Sequence, residues 1–521
     1  MASIRASLCG AALLLASVPA GRVQAQEVTC YVDSAGGDDG NSGLSEAEAV
    51  RSQAKIGQTC TIVRFKRGSV FGEALKITTK VKTYTNYGDG SAPLPQFVVP
   101  HTASSGSLVN AYQGGITVDG LYLAGSHGDG TMNGLGKGVC VSLGGNSQLL
   151  NNEITNCDIG IMLMGAGTLV QGNYVHDLTM AVDAAPGVDP NAVGGAEGIF
   201  INGSSNEVAY NSFVNCSNTA AWTGGNCDGG ATEVTVGNGG NVSGVKIHHN
   251  FSYNSCGFFE VSSGFGGSKG LFSDSEFSYN VMIDSGWMML LQVNNTDLAN
   301  VRWENNTVIQ HAGSTNAGMI TTIFTGTSSG VSGGALAAGS VLLTNNLIVF
   351  DGVRAFGDVI DPAITQTTNL VVDTSKQDPG FVNLAGTINA ADFDLVAGSP
   401  AINAGTVLAH LPVDYLNRAV PDPASGQTDI GAFEFNSIQV DTPPPSSPVP
   451  ISATGGAGEG GAQGHGCTCR LASAPGGSGP RILLLGLVLG LVLRRRRAQR
   501  KKRRTRPASV RLDPCWPRWR P

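Results

Sequence analysis

The same short pattern returns along most of the chain. An apolar residue, two or three variable residues and an asparagine lead into an apolar or aromatic stretch. It reads LLNNEI at Asn152, VQGNYV at Asn173, VAYNSF at Asn211 and IHHNFS at Asn250. It continues as FSYNVM at Asn280, ENNTVI at Asn306, LTNNLI at Asn346 and TTNLVV at Asn369. Short runs of Val, Ile, Phe and Tyr alternate with Gly/Asn/Ser turns, and no long amphipathic helix interrupts them. The asparagines are 21, 38, 39, 30, 26, 40 and 23 residues apart. The shortest gaps suit one coil of a solenoid, and the longer ones are coils with inserted loops. The pattern therefore predicts an all-β chain wound as a right-handed parallel β-helix. Asparagine suits its turns because it tolerates left-handed backbone angles and because stacked amides can bond along the axis. A sandwich or propeller fits these coil-sized gaps less well.

Composition narrows the class further. With 41% hydrophobic residues in 521, the chain has material for a core, which excludes a wholly disordered protein. Its 73 glycines follow no Gly-X-Y period, which excludes collagen.

The two ends read as targeting segments. Residues 1–25 predict a secretory signal, with Arg5, an apolar run from Cys9 to Val18 and Val23-Gln24-Ala25 at the cleavage site. The body is then divided into an N-terminal cap with first coils (26–100), the β-helix (101–397) and a closing segment (398–436). A Pro/Ser/Gly linker, expected to be disordered, follows at 437–466. Residues 467–506 hold Cys467-Thr-Cys469, a 12-residue apolar run from Ile482 to Leu493 and RRRRAQRKKRRTR, and 507–521 stay unassigned. The apolar run is short of the roughly 20 residues a spanning helix needs.

Between the two end segments stand 15 basic and 38 acidic residues, a net charge of −23. Only seven basic residues fall between 83 and 466. Such a surface repels nucleic acid and strongly anionic polymers. Export permits disulfides, and Cys30 with Cys60 is a plausible staple. Seven cysteines in this region leave at least one thiol unpaired.

Three resemblances add expectations. The order of cysteine motif, apolar segment and Arg cluster at 467–506 resembles the myxobacterial C-terminal sorting signal. That implies a processed tail and anchoring at the outer membrane through Cys467 or Cys469, with a sorting protease and lipidation machinery as partners. The stretch YVDSAGGDDGNSGLSEAEAVRSQAKI resembles the start of pectate-lyase-like β-helix proteins. Residues 398–435, with Asn403, Asp414, Arg418, Asp429 and Glu434, resemble the closing segment of surface-anchored β-helix proteins of the choice-of-anchor Q type. The acid and arginine set there reads as a turn network closing the last coil. Residues 170–265 resemble secreted bacterial pectate-lyase-like proteins presumed to act on carbohydrate, which implies a polysaccharide partner and transfers no mechanism. The catalytic signatures of polygalacturonases, alginate epimerases and calcium pectate lyases are absent.

Candidate chemistry comes from aligning strands after the asparagine turns. Gly160, Gly198, Glu233 and Glu260 fall in one column, with Glu233 and Glu260 on neighbouring coils and facing outward. Two carboxylates stacked so closely should share a proton or hold a cation. They also match the pair a retaining glycosidase uses. Against this stands the plain reading of two solvated surface glutamates.

The aligned strand lies 25 residues after Asn173 and 22 after Asn211, so long loops at about 176–196 and 217–231 should overhang one face. They carry His176, Asp189, Glu197, Trp222 and Asp228. Glu197 and Asp228 are read as helpers of the pair, and Asp189, His176 and Trp222 as substrate contacts. Lys246 and His248 are expected to point outward on the coil of Glu233 as further substrate contacts, with Lys246 also the base of an alternative lyase mechanism.

No cofactor is required in the hydrolase reading. Asp189, Glu197 and Asp228 are the set that could hold calcium in the lyase reading. The expected activity is hydrolysis of a neutral or weakly charged polysaccharide. A calcium-dependent lyase and a non-enzymatic glycan-binding surface protein are the alternatives.

Overall fold

The structure, a computed structural model, describes residues 27–101, 107–127, 139–178, 196–219, 227–236, 239–262, 269–294, 296–314, 321–323, 334–351 and 363–440. The expected leader at 1–25, the expected sorting tail with Cys467 and Cys469, and Asp189 and Trp222 lie outside them.

Among the described residues three sheets of parallel strands form the body, with 13 strands in sheet I, 11 in sheet II and eight in sheet III. The chain visits them in that order once per coil. One full coil is Leu169–Gln171 in sheet I, Tyr174–His176 in sheet II and Glu197–Ile201 in sheet III. Each strand pairs with its counterpart one coil away, so hydrogen bonding runs along the axis and the fold is a parallel β-helix. Among the described residues the only helical pieces are three 3₁₀ turns.

All eight predicted asparagines lie at the corner between sheets I and II, where only two residues turn the chain. Each Nδ2 from Asn152 onward donates to the Oδ1 of the next asparagine at 2.8–3.0 Å, ending at Asn369. The Asn250 amide also donates to the Val208 and His248 carbonyls at 2.8 and 2.9 Å, so a fully buried polar group is satisfied.

One expectation is corrected. The left-handed residue is the one before each ladder asparagine: Asn151, Gly172, Tyr210, His249, Tyr279, Asn305, Asn345 and Thr368, with φ between 51° and 66°. The ladder asparagine is needed for its amide, not for its backbone.

Inward positions stack in columns. Val118, Leu149, Val170, Val208, Ile247, Phe277, Trp303 and Leu343 are in register through sheet I and fully buried. The Phe277 and Trp303 rings stack at 4.0 Å.

Sheet II is also apolar on its outer side in the later coils. Phe251, Val281, Ile283, Ile309, Leu347 and Val349 form a second core with Phe381, Phe393, Leu395, Leu411, Tyr415 and Phe433. The closing segment therefore begins earlier than the expected 398, since Phe381, Phe393 and Leu395 belong to the same layer, and it does more than finish the last coil. It runs back along the flank of sheet II until His249 Nε2 meets the Asp414 carbonyl at 3.0 Å. The reason is that this flank presents a row of apolar side chains that only another layer can bury.

Arg418 holds the segment together. Its Nε donates to Asp414 at 2.7 Å, and its two terminal nitrogens donate to Asp394 at 2.9 Å each. The carboxylates of Asp429 and Glu434 accept backbone N–H groups. Burial and the charge of Asp429 push Glu434 up to about 8.

Disulfides join Cys30 to Cys60 and Cys140 to Cys157, and Cys256 is disulfide-bonded as well. Among the described residues Cys216 is a free thiol, and its burial raises its pKa well above the ordinary thiol range.

Candidate functional site

The outer face of sheet III is built from strands whose alternate residues point into the core. Val234 and Val261 are fully buried, which turns Glu233 and Glu260 outward. The two glutamates are direct partners in register on neighbouring strands, about 4.8 Å apart at the backbone. Both are half-buried. Glu233 Oε1 accepts the Thr235 hydroxyl at 3.0 Å and the Ser262 hydroxyl at 3.3 Å. Glu260 accepts the side-chain amide of Gln292.

The register differs from the sequence alignment by two residues. Glu233 stands beside Phe200 and Met162, while Gly198 and Gly160 sit two positions earlier. Glu233 faces outward beside Phe200, whereas a Cβ on Gly160 or Gly198 would point at the buried Val175 or Phe213. The two strands start in register, Glu197 beside Gly230, so Gly198 is the second residue of its strand and Glu233 the fourth.

The true column along the axis is Met162, Phe200, Glu233, Glu260 and Leu290. Two acids thus lie between an apolar stretch on one side and Leu290 on the other. Phe200 and Met162 were missed by sequence reasoning. The signal was present in the buried Ile199 and Ile201, which match Thr232 and Val234.

Both predicted long connections join sheet II to sheet III. Residues 177–196 lead from Tyr174–His176 to Glu197–Ile201, and 215–229 lead from Ser212–Val214 to Gly230–Thr235. The second enters its strand through Gly229, with φ +96°. A Cβ there would lie 2.6 Å from the Ala196 carbonyl oxygen, so only glycine lets the loop end press against the preceding coil. Asp228 pairs through its backbone with Asn218 in a short antiparallel hairpin in this connection.

The remaining candidates separate. Glu197 is 5% exposed, at the start of its strand beside Ile159 and Gly230 and three positions short of the Phe200–Glu233 row. His176 ends its sheet II strand instead of starting a loop over the glutamates. Its ring stacks on Tyr174 at 4.1 Å. Its nitrogens meet Asp177 at 2.8 Å and Glu153 at 3.4 Å. These two carboxylates overcome the opposing effect of burial and hold His176 up at about 9.

Lys246 and His248 point outward as expected, with Ile247 buried between them. They project from sheet I, after the chain has turned the next corner, and so face a different side from the glutamate pair. Lys246 is in register between Glu207 and Glu276, with Arg302 one strand further. Alternating charge along neighbouring strands is itself stabilising and accounts for the lysine. His248 meets Glu207 at 3.2 Å.

The chain matches no family model and no curated protein. Among solved structures it is similar to pectate lyase Pel9A at 14% identity, covering 78% of this chain and 96% of that one with a TM-score of 0.33. It is similar to a rhamnogalacturonan lyase at 13% identity, covering 66% and 87%, TM-score 0.35. It is similar to the GH136 lacto-N-biosidase from Eubacterium ramulus at 12% identity, covering 60% and 67%, TM-score 0.33. The fold assignment rests on the three parallel sheets themselves.

Proposed function

We propose that the protein is a carbohydrate-active β-helix that cleaves a neutral or weakly charged polysaccharide on the outer face of sheet III. The observation that carries this reading is the in-register pair Glu233 and Glu260, flanked along the axis by Phe200, Met162 and Leu290. One carboxylate attacks the anomeric carbon while the other gives its proton to the departing glycosidic oxygen. Water then releases the sugar as the second group takes a proton back. Glu233, held by the hydroxyls of Thr235 and Ser262, takes the nucleophile's part, and Glu260 the acid's. Phe200 offers a face for a sugar ring next to the acids.

Lys246, the base of the lyase reading, stands on sheet I and not beside the glutamates, which favours the hydrolase reading, and that reading does not call on calcium at Asp189, Glu197 and Asp228. The order of residues at both ends supports export and anchoring at the cell surface through Cys467 or Cys469.

The test is release of reducing ends by the full chain from neutral and acidic polysaccharides, with and without chelator. Activity on a neutral glycan is expected to be indifferent to chelator. Glu233→Gln and Glu260→Gln should each lower it by about 10²- to 10⁴-fold. Binding that persists in both variants without any product release would replace the enzyme by a glycan-binding surface protein.

A further inference from the structure

Sheet II carries a concave feature, on a different side of the helix from the glutamate pair. A cleft of about 630 Å³ opens on its outer face, in the coils before those the closing segment covers. Its floor is one column in register: Gln96, Tyr122, Glu153 and Tyr174. Its wall is Arg67 with the turn at 90–94.

The polar groups of this cleft are fixed from behind. Arg67 Nε donates to the Ala92 carbonyl at 2.9 Å and Nη1 donates to Asn86 at 3.2 Å. Glu153 is held by the protonated ring of His176 at 3.4 Å, which Asp177 steadies at 2.8 Å. Asn215 in turn donates to Asp177 at 2.6 Å. Tyr174 stacks on His176 and rests its other side against the second core. Burial and nearby carboxylates hold Tyr174 up at about 12, so its hydroxyl stays a neutral donor.

The chemistry of the cleft selects its occupant. Tyr122 and Tyr174 are two strand spacings apart, roughly 10 Å, with a carboxylate between them. Two aromatic faces separated by a hydrogen-bonding group suit a ligand with flat apolar faces and a rim of hydroxyls. A peptide adding to a sheet needs an open strand edge, and these strands are paired on both sides. Nucleic acid is disfavoured by the acidity of the molecule.

We infer that this cleft is a second saccharide-binding site, which holds a short stretch of glycan with rings on Tyr122 and Tyr174 and hydroxyls bonded by Glu153 and Arg67. It does not depend on Glu233 and Glu260 being catalytic.

The experiment is calorimetric titration of the full chain with neutral hexasaccharides and with a galacturonate hexamer. It is run beside hydroxyl-radical footprinting of the unaltered protein with and without each sugar. Tyr122→Ala and Tyr174→Ala should each weaken binding about three- to tenfold, while the Phe variants keep it. Glu233→Gln should leave it unchanged. A galacturonate preference abolished by Arg67→Met would identify an acidic sugar, and equal binding of the neutral sugars a neutral one. Protection of Tyr122 and Tyr174 supports the site without relying on any variant. Protection confined to Phe200 and Met162, or no hexasaccharide bound tighter than about 1 mM, overturns it.

Discussion

Asn250 shows what a single side chain contributes to this fold. Its amide bonds to the asparagine of the next coil, accepts from that of the preceding one and caps two carbonyls, all away from water. Asn250→Leu leaves those partners unsatisfied and should cost about 1–3 kcal/mol, read as a lowered denaturant midpoint. His176 gives a pH signature. Its folded value of about 9 lies above the ordinary 6.5, so its stabilisation is complete below pH 6.5 and is lost as pH rises through 9. His176→Gln should flatten that part of the stability profile, measured as thermal midpoint against pH. At this scale the asparagines were legible because the ladder demands the same side chain at every coil. The glutamate column was legible in its facing but not its register. Gly198 and Glu233 look equivalent in sequence until it is known where each strand begins, at Glu197 and at Gly230.

Among elements, sheet II explains why the closing segment is so large. Runs such as Leu347-Ile-Val-Phe350 are buried at every position. A strand of that kind needs cover on both sides. That signal stood in the sequence. The Asp/Arg/Glu set at 398–435 carries a different signal, that of a cap at the end of the helix, and it masks the need for cover along sheet II. Deleting residues 378–440 should expose Phe251, Val281, Ile309 and Leu347 together. The expected outcome is aggregation on expression, checked by sedimentation, while Arg418→Ala should only loosen the segment and raise its protease sensitivity. The loops between sheets II and III were legible as positions and lengths. The contacts their side chains make were not, since long connections follow no repeat.

For the whole molecule, charge and shape act together. With 38 acidic against 15 basic residues outside the two end segments, anionic polymers approach against a repulsive field. Any activity on uronic-acid polymers should therefore rise with ionic strength, while that on neutral glycans should not change, measured as initial rates across a salt series. The asparagine ladder has one more consequence. It joins coils whose sequence spacing ranges from 21 to 40 residues without altering its own geometry. All the extra length is taken up at the other corners. The fold therefore behaves as a chassis with one rigid rail and an open side. Foreign segments grafted between Leu178 and Ala196 should leave the winding intact, whereas one residue added beside Asn173 should throw every later coil out of step.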